Sequence, residues 1–157
     1  PLFGYKGKDI ILLKSSKQAD IESLREIVER RGMVYLQEFI NVTSGSARDI
    51  RAFVVDGRLQ GAIYRNAPPG EWISNLARGG RPTPCPKTRE LEDLAVRSAR
   101  AVGAIYCGVD LLESKDGLTT IEVNGTPSGK GIYDALGIDV TEAIAEHVCS
   151  NLDHRKG

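Results

Sequence analysis

Two largely apolar segments lie on either side of a turn sequence. Residues 50–55 and 59–65 flank Asp56-Gly57, a dipeptide that favours the tight turn of an antiparallel β-hairpin. Two other apolar runs, 9–14 and 33–40, have the composition of strands. The hydrophobic pattern therefore predicts a sheet that contains at least one hairpin.

Three further segments place apolar residues at the three- and four-residue spacing of a helix, each with a capping residue at its start. Helices mixed with antiparallel hairpins predict an α+β fold, with a mixed, mainly antiparallel sheet flanked by helices. The predicted helices run from Ser16 to Gly32, with Ile21, Leu24, Ile27 and Val28 on one face; from Thr88 to Gly103, with Leu91, Leu94, Ala95, Ala99 and Val102; and from Asp139, with Glu142 completing a capping box and Val140, Ile144 and Val148 inward.

A second hairpin is predicted for residues 109–112 and 119–124. If its loop is the three residues 115–117, with glycine last in the left-handed position, Ser114 lies opposite Leu118. A shift of one residue would send Asp110 to the apolar face of the hairpin, so the pattern favours this register.

In this register two acidic side chains and an amide share one face of the hairpin. Asp110 lies opposite Glu122, and Asn124 follows on the same side. Two carboxylates about 5 Å apart repel by about 3 kcal/mol at an effective dielectric constant near 20, and a divalent cation would compensate for this repulsion. Oxygen donors favour Mg²⁺ or Mn²⁺ over zinc. The alternative is an exposed polar face with unrelated acids.

Composition narrows the class of protein. Of 157 residues, 41% are hydrophobic, which is typical of a folded globular domain. The 21 basic residues equal the 21 acidic residues, so we expect no nucleic-acid partner. No apolar run approaches the roughly 20 residues of a membrane helix, so we expect no membrane partner. Three cysteines without a Cys-x-x-Cys pair argue against a disulfide framework and favour a cytoplasmic protein.

Several other residues suit phosphate binding, although each also has a plain structural interpretation. Gly4 and Gly7 can place backbone N–H groups over a triphosphate, or can form an ordinary turn. Arg65, Asn75 and Arg78 lie in and after the first hairpin. Arginine suits bidentate contacts with phosphate or carboxylate, but an isolated arginine more often has only a surface role.

These residues belong to a series of segments along the chain: Pro1-Leu2-Phe3-Gly4 with Gly7, Gln37-Glu38-Phe39-Ile40, Arg48-Asp49-Ile50-Arg51, Ser74-Asn75-Leu76-Ala77-Arg78-Gly79-Gly80, Gly108-Val109-Asp110 and Glu122-Val123-Asn124-Gly125-Thr126-Pro127. The series resembles the ATP-grasp carboxylate–amine ligases, most closely the RimK-like group, over essentially the whole chain. That group includes ligases that add glutamate to a ribosomal protein or to methanogen cofactors such as tetrahydromethanopterin, and a ligase of lysine biosynthesis.

The resemblance implies a role for each matching position. The sequence departs from the family pattern in two ways. Ile73 stands where relatives often have arginine. The lysine that usually precedes the Pro1 position is absent, together with the amino-terminal domain. We therefore expect the carboxy-terminal part of an ATP-grasp domain, in which 1–40 form the end of the small lid subdomain and the hinge, and 41–157 bind metal and phosphate. The implied roles are the adenine hinge at Glu38 and Phe39, the ribose at Asp49, a nucleotide contact at Ser74, magnesium at Asp110, Glu122 and Asn124, the reacting phosphate and acyl group at Arg65, Asn75 and Arg78, and the flexible loop over the phosphates at Gly4 and Gly7.

For function, the resemblance implies that ATP phosphorylates a carboxylate, carried by a small molecule or a protein, and that the amine of an amino acid such as glutamate attacks the acyl phosphate. Mg²⁺ or Mn²⁺ would assist. Residues 125–132 are a candidate contact for the acceptor, with a plain turn as the alternative. Relatives commonly form homo-oligomers. The alternative functions are a nucleotide-binding module without ligase activity, or a folded fragment that is inactive by itself.

Overall fold

The computed structural model describes residues 10–14, 17–74, 76 and 79–153. Contacts between Cα atoms divide the chain into two compact units, Pro1–Ile40 and Asn41–Gly157. The roles expected for 1–40 and 41–157 stay predictions. The elements, in chain order, are α1 (Gln18–Arg31), β1 (Arg48–Val55), β2 (Arg58–Asn66), β3 (Arg81–Pro84), α2 (Arg89–Ala101), β4 (Tyr106–Ser114), β5 (Gly117–Asn124), α3 (Lys130–Leu136) and α4 (Val140–Asp153).

In the first unit, the described residues contain one helix and no strand. Helix α1 begins at Gln18 with Lys17 at its N-cap, rather than with the predicted cap at Ser16, which lies outside the described residues, and it ends at Gly32 with a φ of 74°. The strands predicted at 9–14 and 33–40 are wrong wherever these segments are described. A strand needs a neighbour for its backbone N–H and C=O groups, and neither apolar run pairs with another described strand.

The second unit contains a five-stranded sheet in the order β3-β2-β1-β4-β5, in which every described ladder is antiparallel. The predicted hairpin of β1 and β2 is confirmed. Asp56 and Gly57 have φ angles of 50° and 67°, the two positive values that a type I′ turn requires. The α+β fold class is therefore confirmed.

The hairpin of β4 and β5 has the predicted pairing at its acidic end and a different turn. Ser114 pairs with Gly117, so the loop has two residues and the predicted three-residue loop is wrong. Between Asp110 and the next residue of β4 the register shifts, because β5 carries one extra residue, Ile121, as a β-bulge. The bulge offsets the shorter turn, and Asp110 lies opposite Glu122 as predicted.

Helices cover both faces of the sheet. On one face, Leu91, Ala95 and Ala99 of α2 pack against apolar residues of the four strands β1, β2, β4 and β5. On the other face, Phe53 and Ile63 pack against α3 and α4. The two cores lie on opposite sides of the central strand β1. Its apolar side chains therefore contact α2 on one face of the sheet, and α3 and α4 on the other.

Some details of the helices differ from the prediction. The Thr88 cap of α2 is confirmed by the Leu91 backbone N–H, which donates to its hydroxyl at 3.2 Å, but Val102 is exposed. Asp139 accepts hydrogen bonds from the backbone and hydroxyl of Thr141 rather than forming the predicted capping box with Glu142. Val148 is exposed instead of inward.

Two elements were not predicted from the sequence. Strand β3 lies within 66–86, which the pattern assigns to a loop because of its prolines, and prolines are tolerated there because β3 is an edge strand. Helix α3 follows the glycine-rich segment 125–129. Within the described residues, no helix has the length and hydrophobicity to cross a membrane.

Candidate functional site

Four charged side chains lie together on the sheet face that also carries Phe53. The register explains this: Asp49 on β1 pairs with Arg65 on β2, and Arg51 on β1 pairs with Asp110 on β4. Directly paired residues of neighbouring strands share a face, and residues two apart on one strand do so too. The sheet therefore brings together two acids and two arginines from three adjacent strands.

The four side chains form a continuous network of charged hydrogen bonds. Arg65 donates from Nε and Nη2 to the two oxygens of Asp49, both at 2.6 Å, and from Nη2 to Asp110 Oδ2 at 2.8 Å. Arg51 donates from Nε and Nη2 to Asp110 Oδ1 and Oδ2, both at 2.7 Å. Bidentate pairs of this kind fix the orientation of both partners.

The network is largely excluded from solvent. Asp49, Arg65 and Asp110 are 9%, 8% and 5% exposed. Burial raises the pKa of Asp49, while Arg65 and a hydrogen bond from Ser74 oppose that rise. Burial alone would lower the pKa of Arg65, but the carboxylates of Asp49 and Asp110 outweigh this effect and raise it. Arg65 therefore keeps its charge.

Arg51 is the member of the network that we did not predict as a site residue. Its motif was part of the family resemblance, but only the pairing of β1 with β4 shows that it faces Asp110. Gly108 leaves room for it: a Cβ atom there would lie 3.1 Å from Arg51 Cδ and 2.9 Å from Pro127 Cβ. Gly108 thus lets the Arg51 stem and the segment after β5 approach the sheet closely.

The predicted metal ligands share this face. Asp110 and Glu122 are directly paired, and Asn124 pairs with Gly108, two residues before Asp110. Glu122 is exposed and makes no ion pair with another described residue. Asn124 Oδ1 accepts one hydrogen bond, from the Thr126 backbone N–H at 2.9 Å. Two carboxylates and an amide oxygen are hard donors that fit Mg²⁺ or Mn²⁺.

Asp110 already has positively charged partners in the sheet. The repulsion between Asp110 and Glu122 called for a compensating cation, and two guanidinium groups already compensate the charge of Asp110. The described residues contain no group of three or more His, Cys, Asp or Glu side chains that could hold an ion. A metal site here rests on Asp110, Glu122 and Asn124 together, and it stays a prediction.

The other predicted site residues lie elsewhere. Glu38 and Phe39 belong to the first unit, where both are exposed. Ser74 lies beside Asp49, and the hydrogen bond between them links a predicted nucleotide contact to the network. The predictions for Gly4, Gly7, Asn75 and Arg78 fall outside the described residues.

A groove of about 620 Å³ lies next to the segment after β5. Its lining includes Tyr106, Pro127 and Lys130, and the Tyr106 hydroxyl donates to the Pro127 carbonyl at 2.8 Å. None of the four network residues lines it. The groove therefore lies between the predicted acceptor segment 125–132 and the helices α3 and α4, and the charged network is not part of its lining.

A second arginine–carboxylate pair lies on the opposite face of the sheet. Arg48 donates to Glu113 Oε2 from Nε and Nη2, at 3.1 and 2.7 Å, and its guanidinium carbon lies 3.9 Å from the centre of the Tyr64 ring. Since residues three apart on a strand face opposite sides, this pair is separate from the network. Arg51 donates to both oxygens of Asp110, whereas Arg48 donates to one oxygen of Glu113, and the Arg48–Glu113 pair is more exposed.

Comparison with known proteins gives consistent results. The model of the RimK-like ATP-grasp domain family matches residues 1–148. The chain is 42% identical to the tetrahydromethanopterin:alpha-L-glutamate ligase of Methanosarcina acetivorans, over 94% of the chain and 53% of the relative. It is 39% identical to the enzyme of that name from Methanococcus maripaludis, over 93% of the chain and 50% of the relative. The chain thus spans about half the length of these relatives.

A solved structure of similar fold is that of the ATP-grasp ligase PsnB with a phosphomimetic variant of its minimal precursor, Mg and ADP. The TM-score is 0.57 at 21% identity, and the match covers 73% of this chain and 34% of that one. At this identity the likeness establishes the fold alone.

Proposed function

We propose that this chain, which belongs to the RimK-like ATP-grasp domain family, is part of an ATP-dependent carboxylate–amine ligase that uses glutamate as the amine. The reaction would form an acyl phosphate from ATP and a carboxylate, and the amine would displace phosphate to give an amide. One observation supports this most: Asp110, Glu122, Arg51 and Arg65 converge on one face of the sheet. Relatives named as glutamate ligases supply the substrate class.

In this proposal Asp110, Glu122 and Asn124 hold the metal. Mg²⁺, or Mn²⁺ in its place, would neutralise charge on the phosphate oxygens during transfer. The three side chains come from adjacent strands in a fixed register, so their spacing is set by the sheet and not by a loop. Asp49 and Ser74 would lie on the nucleotide side, as the family resemblance implies for both positions.

Arg65 would stabilise the charge that develops on the reacting phosphate and acyl oxygens. Its Nε and Nη2 are engaged by the two acids, while Nη1 makes no hydrogen bond with a described residue. The N–H groups of Nη1 are therefore free to donate to a substrate oxygen. A guanidinium already fixed by Asp49 and Asp110 needs little reorganisation, which is how preorganised donors accelerate a reaction.

The segment after β5 and its groove would receive the acceptor. Pro127, Gly129 and Lys130 line the groove and lie within six residues of the predicted metal ligand Asn124. Lys130 pairs with Asp134 at 2.6 Å and could instead bind a carboxylate of the substrate.

The test uses a chimera, because the chain spans about half of its relatives. The chain is joined to the amino-terminal half of the Methanosarcina acetivorans enzyme and incubated with ATP, Mg²⁺, glutamate and tetrahydromethanopterin. We expect ADP, phosphate and an amide product, all lost in D110N and E122Q. The control R48Q alters the arginine–carboxylate pair on the opposite face and should keep activity.

The outcomes separate the alternatives. ATP binding without an amide product, across a panel of acids and amines, would favour a nucleotide-binding module over a ligase. Full activity in either D110N or E122Q would remove the metal assignment. Activity with an amine other than glutamate would preserve the reaction class and correct only the substrate.

A further inference from the structure

We infer that Arg51 competes with a divalent ion for the carboxylate of Asp110 and opposes the binding of an ion that arrives alone. The inference rests on the proposed function, because it concerns the same metal site. It assigns to Arg51 a positioning role that neither the family match nor the relatives' names provide.

The first support is the occupancy of the Asp110 carboxylate. Oδ2 accepts from both Arg51 and Arg65, and Oδ1 accepts from Arg51 Nε. A carboxylate oxygen offers about two lone-pair sites. Oδ2 is therefore filled, and an ion could reach only the remaining site on Oδ1, immediately beside the Arg51 guanidinium.

The second support is the charge of the site. Asp49, Asp110, Arg51 and Arg65 sum to zero, so Glu122 alone leaves the set with one negative charge. Without Arg51 the set would carry two. A dipositive ion close to a guanidinium is repelled, and the repulsion is strong because the pair is shielded from water, with the Arg51 side chain only 14% exposed.

The third support is the packing of Arg51. Its stem is confined beside Gly108 and Pro127, as the short distances from a Gly108 Cβ show. The close packing of this stem keeps the guanidinium on Asp110 unless another anion takes the place of that carboxylate. An ion that comes with phosphate oxygens brings an alternative anionic partner for Arg51, whereas a lone ion does not.

It follows that metal should bind mainly together with an anion such as a polyphosphate, and that a neutral side chain at position 51 should relieve the restriction. Gln is suitable because it keeps a hydrogen-bond donor for Asp110 and loses the charge. Lys keeps the charge and loses the bidentate geometry. The pair of variants separates the effect of charge from the effect of shape.

The experiment measures Mn²⁺ alone, without nucleotide, by the electron paramagnetic resonance signal of the free ion, on the 157-residue chain. We expect R51Q to bind Mn²⁺ more tightly than the unaltered chain, by on the order of tenfold or more. R51K and R48Q should leave the affinity near that of the unaltered chain. Adding D110N to R51Q should abolish the gain. Circular dichroism checks folding, and R51M replaces R51Q if the latter unfolds.

Each result has a defined meaning. An unchanged affinity in R51Q, with Mn²⁺ binding that D110N removes from the unaltered chain, would overturn the inference and leave the metal site standing. A gain in R51Q that survives D110N would place the ion elsewhere and overturn both. An absence of Mn²⁺ binding in every variant would also overturn both, since R51Q would then have failed to expose the site.

Discussion

Replacing Arg65 with methionine should destabilise the fold far more than the same change at Arg48. Both arginines donate from Nε and Nη2 to a carboxylate on the same sheet, Arg65 to the two oxygens of Asp49 and Arg48 to one oxygen of Glu113. The side chains of the Arg65–Asp49 pair are 9% and 11% exposed, whereas those of Arg48 and Glu113 are 29% and 28% exposed. The two pairs therefore differ in burial and in the number of carboxylate oxygens that the arginine contacts.

The expected magnitude follows from what remains after the change. R65M leaves the buried carboxylate of Asp49 without its guanidinium partner, and removal of one member of a buried pair costs about 3–5 kcal/mol. Asp110 keeps Arg51. R48M leaves the partly exposed Glu113 in contact with water, which limits the cost to about 1–2 kcal/mol, including the lost contact with Tyr64.

Urea unfolding followed by circular dichroism measures both free energies. A double variant, D49L with R65M, supplies the internal control, because an apolar pair of similar volume in place of a buried ion pair is often close to neutral. We expect it to recover most of the stability that R65M loses. If R65M cost no more than R48M, or if the double variant were less stable than R65M, burial of the network would not control its energetics.

Two further changes test the packing and the protonation of the sheet. G108A should destabilise the fold by about 1–3 kcal/mol, because the added methyl group overlaps Pro127. The control G125A adds a methyl group in open space and should change the free energy of unfolding by less than about 0.5 kcal/mol. Equal effects of the two changes would contradict the packing argument. Burial raises the pKa of Tyr64 to about 12, so the folded protein retains a proton that the unfolded chain loses from about pH 10. Stability should therefore fall between about pH 10 and 12, and Y64F should reduce that fall in urea titrations; an identical fall in both proteins would show that Tyr64 does not cause it.

Features set by neighbouring residues were predictable from the sequence. Asp56-Gly57 determines a turn whose two positive φ angles suit few other dipeptides. The pairing of Asp110 with Glu122 was also predicted, but through a turn that is one residue too long. The bulge at Ile121 restores the register, and no residue type in β5 signals that bulge.

Features set by distant partners were not predictable in the same way. The run 33–40 has the composition of a strand but has no partner strand among the described residues, and composition does not supply one. Arg51 meets Asp110 because β1 pairs with β4, two strands separated by β2, β3 and α2. A hairpin can be deduced from its own turn, whereas this pairing depends on the whole sheet.

The charged network is better explained by function than by stability. A buried ion pair gains little over an apolar pair of the same volume, because desolvation offsets the attraction. On the same face, Phe53 and Ile63 meet α3 and α4 through apolar contacts alone, so the face can be closed without charges. The two arginines and two acids beside that apolar region can replace their hydrogen bonds to one another with hydrogen bonds to a ligand. Within the network the arginines neutralise the acids, and the same hydrogen-bond donors are in place when an anion and a cation arrive together.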